Sequence, residues 1–379
     1  MILLTTIQFQ RFKIGNYKMK YYIIAGEPSG DLHGSKLIKE IFKVDKNAEI
    51  RFWGGDLMKD AGGKMVMHYK NLAFMGFSEV LINIFKILKN FKICKKDILK
   101  FNPDKIIYID YPGFNLRICK WAKRRGFKNY FYISPQVWAW KEKRVNIIKK
   151  YIDELYVVLP FEKDYFKRKH NIKSNFFGHP LMDDLNNFKL KKIPSKKPII
   201  SILPGSREQE VLKILNEILN ICKYFPNYKF IIAGVKHIKK ETYNKIISEK
   251  NYNVELIYGK TYDIISSSKV SIVASGTATL ETALLNTPQI VCYKTTKLNI
   301  LLARIFVKVR FISLVNLICN KVVIKEFIQN DVNKINLKNE INSILNGRNK
   351  EIKKNKKILR KLIGSAGVSM KVAQHIFKN

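Results

Sequence analysis

Short runs of β-branched and aromatic residues alternate along most of the chain with longer amphipathic stretches, a pattern that predicts an α/β protein. Apolar runs at 21–25, 50–53, 105–109, 128–133 and 155–159 have the length and uniform hydrophobicity of strands covered on both faces. A helical pattern over 35–42 follows the first run. The others stop at Gly54-Gly55, Asp110, Ser134-Pro135 and Pro160. Strands alternating with helices build a parallel, doubly wound sheet with helices on both faces. The lysine-rich segment 189–198, with Pro194 and Pro198, breaks the pattern as an interdomain linker would. The scheme then repeats, with strands near 199–203, 228–233, 254–257, 270–274 and 289–292 and a helix over 208–224. We expect an extension at 1–18 (a strand opens just after Met19), a first domain at 19–188, a second at 189–350 and a basic helical segment at 351–379. The last segment carries apolar positions Ile358, Leu359, Leu362, Val368, Val372 and Ile376.

Two strand ends in the second half carry the clearest chemistry. The run 270–273 gives way to Ala274-Ser275-Gly276-Thr277-Ala278-Thr279-Leu280-Glu281. A strand that opens directly into a helix through such residues leaves backbone N–H groups unpaired, with the positive end of the helix dipole behind them. That arrangement binds phosphate or diphosphate. An ordinary capped helix start is the competing reading, because Ser and Thr cap helices widely. About seventy residues earlier, 198–203 meets Pro204-Gly205-Ser206-Arg207 and then the 208–224 helix. The arginine fork suits phosphate oxygens. Two such turns at the carboxyl ends of one parallel sheet fit a nucleotide diphosphate. Neither is a G-x-x-x-x-G-K-[ST] loop or a G-x-G-x-x-G fingerprint, so a nucleotide sugar fits better than ATP or NAD. Glu281, one turn further on, stands where a carboxylate reaches ribose hydroxyls.

Composition narrows the partners. The 379 residues are 46% hydrophobic, as in globular proteins, but 70 Lys plus Arg against 30 Asp plus Glu give a net charge of +40. Such a surface attracts nucleic acid, anionic lipid or phosphorylated substrates. The charge is spread over the whole length, with Ile, Lys and Asn abundant throughout, which is also what an AT-biased genome produces. Cys94, Cys119, Cys222, Cys292 and Cys319 are scattered and, like the six histidines, show no metal-ligand spacing. No uninterrupted apolar run reaches the length of a membrane span, and 1–4 is too short for a signal-peptide core. Two stretches interleave basic and apolar residues. In 81–96, Ile84, Phe85, Leu88 and Phe91 share a face with lysines around it, and 298–318 mixes similarly. Each reads as a helix packed on its sheet or as an interfacial patch at a bilayer.

Longer strings then converge. In order they are Ala25-Gly26-Glu27-Pro28-Ser29-Gly30-Asp31, Met75-Gly76-Phe77-Ser78-Glu79-Val80, Asp110-Tyr111-Pro112-Gly113-Phe114-Asn115, Ser134-Pro135-Gln136-Val137-Trp138-Ala139-Trp140, Leu159-Pro160-Phe161-Glu162 and Phe177-Gly178-His179-Pro180-Leu181. The two turns above and Lys325-Glu326-Phe327-Ile328-Gln329 complete the set. From about residue 20 to 330 it resembles the lipid-A-disaccharide synthase family of bacterial glycosyltransferases. One departure is Gly113, where the family pattern usually has a second acid; Asp110 is then the acid to favour.

The resemblance implies a GT-B architecture, two Rossmann-like domains facing across a cleft. It implies transfer of 2,3-diacylglucosamine from UDP to the 6-hydroxyl of 2,3-diacylglucosamine 1-phosphate, with inversion, releasing UDP. Asp110 is the expected base, with Asp31, Glu27 and His33 as rivals. Arg207, Ser206 and the N–H groups near Ser275, Gly276 and Thr277 would hold the diphosphate, and Glu281 the ribose. By resemblance Asn316, Glu326 and Gln329 also line the donor side, and Gly26, Glu27, Ser29 and Asp31 the acceptor side. No metal or other cofactor is expected, and no nucleic acid partner, since no RNA-recognition, KH or zinc-finger signature is present. The expected location is cytoplasmic, peripheral on an anionic membrane surface at the inner face of the bacterial inner membrane, where Trp138 and Trp140 are candidate contacts. A peptidoglycan-type N-acetylglucosaminyltransferase or a UDP-sugar epimerase is the competing enzyme reading, and a nucleic-acid-binding protein the competing non-enzyme one.

Overall fold

Uniformly apolar strands fold here into two parallel sheets, each in its own unit. The computed structural model describes residues 18–72, 84–236, 238–250, 252, 254–296, 300 and 309–379. The string 75–80, residues 1–17 and most of 298–308 lie outside the described residues. One unit comprises Met1–Asn186 with Ser365–Asn379, the other Asn187–Gly364.

In the first unit seven parallel strands, β1 (Lys20–Ala25), β2 (Glu49–Gly54), β3 (Lys64–His68), β4 (Lys105–Ile109), β5 (Lys128–Tyr132), β6 (Glu154–Val157) and β7 (Asn175–Phe176), run in the order β3-β2-β1-β4-β5-β6-β7. Alternate residues face opposite sides. Tyr22, Tyr108 and Phe131 pack beneath the helices Ile84–Phe101 and Pro112–Lys123 through Ile98, Leu116 and Ile118. Tyr21, Ile107 and Tyr130 pack on the other face against Leu37 and Ile41 of the helix Pro28–Val44 and against Val372 and Ile376 of the last helix, Val368–Lys378. Two of the buried polar tips pair within the core: Trp53 Nε1 donates to Tyr22 Oη at 2.8 Å, and Tyr108 Oη to Asn129 Oδ1 at 2.9 Å.

The last helix is tied to this sheet. Asp183 accepts from the backbone N–H groups of Gly367 (2.7 Å), Val368 (3.0 Å) and Ser369 (3.0 Å) and from the Ser369 hydroxyl. Lys105, buried in β4, donates to the carbonyls of Ile376 and Phe377. The basic carboxy-terminal stretch is thus shared: the helix Asn349–Ile363 counts with the second unit, and Ser365–Asn379 with the first.

The second unit holds six parallel strands, β8 (Ile199–Leu203), β9 (Lys229–Gly234), β10 (Val254–Tyr258), β11 (Ser268–Ala274), β12 (Gln289–Tyr293) and β13 (Glu326–Ile328), in the order β10-β9-β8-β11-β12-β13. At its centre the buried hydroxyls of Ser201 and Ser271 meet across β8 and β11 at 2.6 Å. Both sheets reverse winding direction once, at β1/β4 and at β8/β11. The expected parallel, doubly wound architecture is present in each half.

Local differences have physical causes. The first helix starts at Pro28, not at 35, because Gly30 and Gly34 serve packing within a helix. A Cβ on Gly34 would stand 2.6 Å from Met58 Sδ, and one on Gly30 3.1 Å from the Ala25 Cβ. Strands β3, β7 and β13 carry too little continuous apolar sequence to stand out. They are sheet edges, half-exposed or two to three residues long.

Asp183→Ala removes a carboxylate that serves four donors. We expect a loss of about 2 kcal/mol of stability in urea unfolding, with the last helix losing amide-exchange protection first.

Candidate active site

In the second unit, Leu203 of β8 pairs with Val273 of β11, so their carboxyl ends emerge side by side. Gly205 follows at φ +111°, a conformation that favours glycine; a Cβ there would lie 3.4 Å from that of Ala274. The two turns are therefore in contact. Arg207 caps the helix Glu208–Leu219, and its exposed guanidinium makes one long contact, 3.3 Å, with Glu210. Ser206 is exposed beside it. Across the switch point Gly276 caps the helix Thr277–Leu284, and both Gly276 and Thr277 are exposed. Their N–H groups open the helix and have no partner within it. The Ser275 N–H differs from expectation: it donates to Cys292 O at 2.9 Å, completing the sheet, while the Ser275 hydroxyl donates to Ile312 O at 2.8 Å. Of the three N–H groups expected to hold an anion, those of Gly276 and Thr277 are left open, and Ser275 fixes the turn. Glu281 stands half-buried one turn into that helix.

Asn316, Glu326 and Gln329, expected to line the donor side, have side chains committed to the protein. Glu326 accepts from Ile312 N (2.9 Å), Ser313 N (3.0 Å), the Ser313 hydroxyl (2.7 Å) and Asn316 Nδ2 (2.8 Å). Asn316 Oδ1 accepts from Val323 and Ile324 N–H groups. Gln329 clasps the Thr295 backbone, accepting at 2.7 Å and donating at 3.2 Å. These residues brace 312–329 and position Ser275 through Ile312.

In the first unit the switch point brings Gly26 and Glu27, after β1, beside Asp110 and Tyr111, after β4. Asp110 and Tyr111 have φ +46° and +48°, costly for side-chain-bearing residues. Buried Asn115 holds the bend, donating to Asp110 O at 2.7 Å and lying within 3.3 Å of Ile24 O. Gly26 makes room for Tyr111, since a Cβ would stand 2.3 Å from its ring. Burial, then the nearby charge of Glu27, pushes the Asp110 carboxyl up to about 6. Ser29 is exposed on the first turn of the Pro28–Val44 helix. At Gly113 a side chain would find open space, so the acid missing there is a difference of chemistry and not of packing.

Two of the rivals, Asp31 and His33, are poorly suited to act as the base. Asp31 is buried, and its oxygens accept from Gly55 N (2.7 Å), Leu57 N (3.2 Å) and Met58 N (3.0 Å), capping the helix Asp56–Ala61. Burial, helped by the charge of Lys36, holds the His33 imidazole down at about 3, too weak a base for proton abstraction near neutrality.

The Ser134–Trp140 string, conspicuous in sequence, is organised by a residue the sequence reading left without a role. Glu162 is fully buried. It accepts from Trp138 Nε1 (3.0 Å), the Ser134 hydroxyl (3.3 Å), Val158 N (3.1 Å) and Leu159 N (2.9 Å); burial nevertheless pushes its carboxyl up to about 7. Its signal was its place as third residue of a helix opened by Pro160, where a carboxylate reaches back to free N–H groups. Trp138 is half-buried against it, and Trp140 is 44% exposed.

Comparison with known proteins shows the family. The family described as lipid-A-disaccharide synthetase matches residues 21–377. Lipid-A-disaccharide synthase 1 of Legionella pneumophila (strain Lens) is 36% identical over 341 residues, spanning 86% of this chain and 88% of the relative. The chain belongs to the lipid-A-disaccharide synthase family. It is a glycosyltransferase of lipid A biosynthesis that forms the disaccharide from a UDP-sugar donor and a lipid acceptor. Its fold is GT-B. The glycotransferase of kitacinnamycin superposes with a TM-score of 0.68 at 12% identity, covering 96% of this chain and 99% of that one. UDP-GlcNAc 2-epimerase from Neisseria meningitidis, solved bound to UDP-GlcNAc, gives 0.63 at 16% identity, covering 95% and 100%.

The raised Asp110 carboxyl leaves a signature in the pH dependence of stability. Its value in the folded protein lies above the ordinary one. The folded state is therefore favoured while the carboxyl is protonated, and that contribution is lost as pH rises through about 6. Asp110→Asn should raise stability by roughly 1–2 kcal/mol at pH 8, with the gain fading toward pH 4. Thermal unfolding across that pH range reads it.

Proposed function

We propose that this synthase transfers 2,3-diacylglucosamine with inversion, and that Asp110 is the base. The acceptor, 2,3-diacylglucosamine 1-phosphate, presents its 6-hydroxyl to Asp110, which takes the proton. The hydroxyl oxygen attacks the anomeric carbon, the bond from that carbon to UDP breaks, and its electron pair leaves with the diphosphate. The products are the β-1,6-linked disaccharide 1-phosphate and UDP. The observation that carries this reading is the Asp110–Glu27 pair at the β1/β4 switch. A carboxylate held near 6 is a far better base than an ordinary one and is still ionised at neutral pH.

Charge building on the leaving diphosphate meets Arg207 and the Gly276 and Thr277 N–H groups, donors fixed before the reaction begins. Glu281 accepts from the ribose hydroxyls. Ser206 and Ser275 shape the cradle, and Asn316, Glu326 and Gln329 brace it. Gly26, Glu27 and Ser29 border the acceptor, with Asp31 behind them as a cap.

The same reading puts the enzyme on the cytoplasmic face of the inner membrane, since both substrates carry acyl chains. No helix among the described residues is long and apolar enough to cross a membrane. On the helix Ile84–Phe101, Phe85 is 82% and Leu88 50% exposed, with Lys89 and Lys92 on the same helix. Apolar side chains projecting among lysines suit an anionic bilayer surface.

Incubation with UDP-diacylglucosamine and the monosaccharide phosphate tests the assignment. Asp110→Ala should lower disaccharide formation by about 10²- to 10⁴-fold while UDP affinity is kept; full activity would remove Asp110 from the mechanism. Arg207→Ala should weaken UDP binding by about ten- to a hundredfold, and unchanged affinity would displace the diphosphate from this turn. The acidic limb of the kcat/KM profile should lie near pH 6. Glu27→Gln removes the like charge, so that limb should move to lower pH.

A further inference from the structure

The helix Pro112–Lys123 begins beside Asp110 and carries Arg117 on its exposed side. Arg117 Nη1 donates to Gly113 O at 3.0 Å, and its guanidinium carbon stands 6.0 Å from the centre of the Phe91 ring. With Ile87, Leu88, Phe91, Tyr111 and Phe114 it lines a cavity of about 510 Å³. Phe91 and Phe114 stack in its wall with ring centroids 4.5 Å apart. Tyr111, whose ring lies against Gly26, closes the end nearest the base.

Two more cations stand within electrostatic reach. Trp140, 44% exposed, has Lys141 Nζ at 4.5 Å and the Arg144 guanidinium at 5.3 Å from its ring. Lys141 is held at φ +52°, an unusual conformation for a side-chain-bearing residue. Burial and the charges of Arg144 and Arg117 lower the Lys141 pKa; burial and Arg117 lower that of Arg144. Glu142, between them in sequence, turns instead to Lys169, His170 and Tyr165. Among the described residues none of the three cations is in an ion pair. Three cations that feel one another's charge and have no ion-pair partner, one of them lining an apolar cavity, call for a ligand that is anionic at one point and greasy at another.

We propose that Arg117, Lys141 and Arg144 bind the anomeric phosphate of the acceptor while the adjoining cavity takes one of its acyl chains. This rests on the acceptor role proposed above for the first unit. Arg117 sits on the second turn of this helix, and its guanidinium folds back to Gly113 O, three residues past Asp110 in sequence. A sugar anchored by its phosphate at Arg117 can thus reach Asp110 with its far hydroxyl. Arginine suits this duty because its fork matches phosphate oxygens, and the Trp140 ring lies 5.3 Å from the Arg144 guanidinium, within cation–π range.

The test is direct binding in detergent micelles, without donor, of 2,3-diacylglucosamine 1-phosphate and of the same lipid lacking the phosphate. Arg117→Gln, Lys141→Gln and Arg144→Gln are compared with the unaltered protein, each with its thermal melt. All three side chains are exposed or half-exposed, so the fold should hold. We expect the double variant Arg117→Gln/Arg144→Gln to bind the phosphorylated lipid about ten- to a hundredfold more weakly and the unphosphorylated lipid about equally. Arg144→Lys should restore part of the loss, and UDP affinity should not move. Equal losses for both lipids, or none for either, would overturn the site. So would a loss confined to phosphatidylglycerol vesicles, which would assign these cations to bilayer headgroups. Turnover measured in parallel keeps the two questions apart. Phosphate-dependent binding without disaccharide formation would count against the proposed reaction and leave the site standing.

Discussion

The reversal of strand order in each sheet is the constraint on which the rest depends. A parallel strand delivers its carboxyl end to the same edge as every other, and right-handed crossovers send successive helices to one face until the order reverses. At β1/β4 and β8/β11 the following helices leave to opposite faces, and the backbone there has no neighbour to cover it. The protein puts its tight turns at those two places: Gly26-Glu27 and Asp110-Tyr111 in one sheet, Gly205 to Arg207 and Ser275 to Thr277 in the other. Burial on both faces of each sheet makes this placement robust, because the register that packs Tyr22, Tyr108 and Phe131 also fixes where each strand stops.

Hydrogen bonding then separates residues that build the site from those that can act in it. Asp31, Glu162, Glu326 and Asn316 are each in contact with three or more protein donors or acceptors. A carboxylate in that condition gains its stability from the N–H groups it satisfies, and using it on a ligand would leave them bare. Arg207 is the opposite case, with its guanidinium in solvent and one long contact. The polar residues that stand out most in the sequence divide between the two classes. Their motifs therefore mark architecture as much as chemistry.

Most of the fold was legible because its strands are long, apolar and bounded by glycine, proline or an acid. The two strand-to-helix turns of the second unit were legible for the same reason: strand, small residues and helix follow each other without a gap. What escaped was whatever depends on contacts distant in sequence. Nothing near Asp31 reveals that its carboxylate caps a helix starting twenty-five residues later. Nothing near Asn316 reveals its bonds to Val323, Ile324 and Glu326. The Ser275 N–H was lost to Cys292 because strand pairing continues one residue past the apolar run. The glycines at 30 and 34 misplaced the start of the first helix, since a glycine that permits a close approach reads in sequence like one that ends a helix.

Strain at Asp110 is held in place by the surrounding packing. Two consecutive side-chain-bearing residues at positive φ cost about 1–3 kcal/mol each, and a chain free to relax would not keep them. Here relaxation is blocked from several sides. Asn115 holds Asp110 O from below, Tyr111 lies against Gly26, and its hydroxyl donates to Leu72 O at 2.7 Å. The bend turns Asp110 out of the sheet edge toward Glu27, where burial and the neighbouring charge outweigh the one backbone hydrogen bond from Tyr111 and keep the carboxyl raised to about 6.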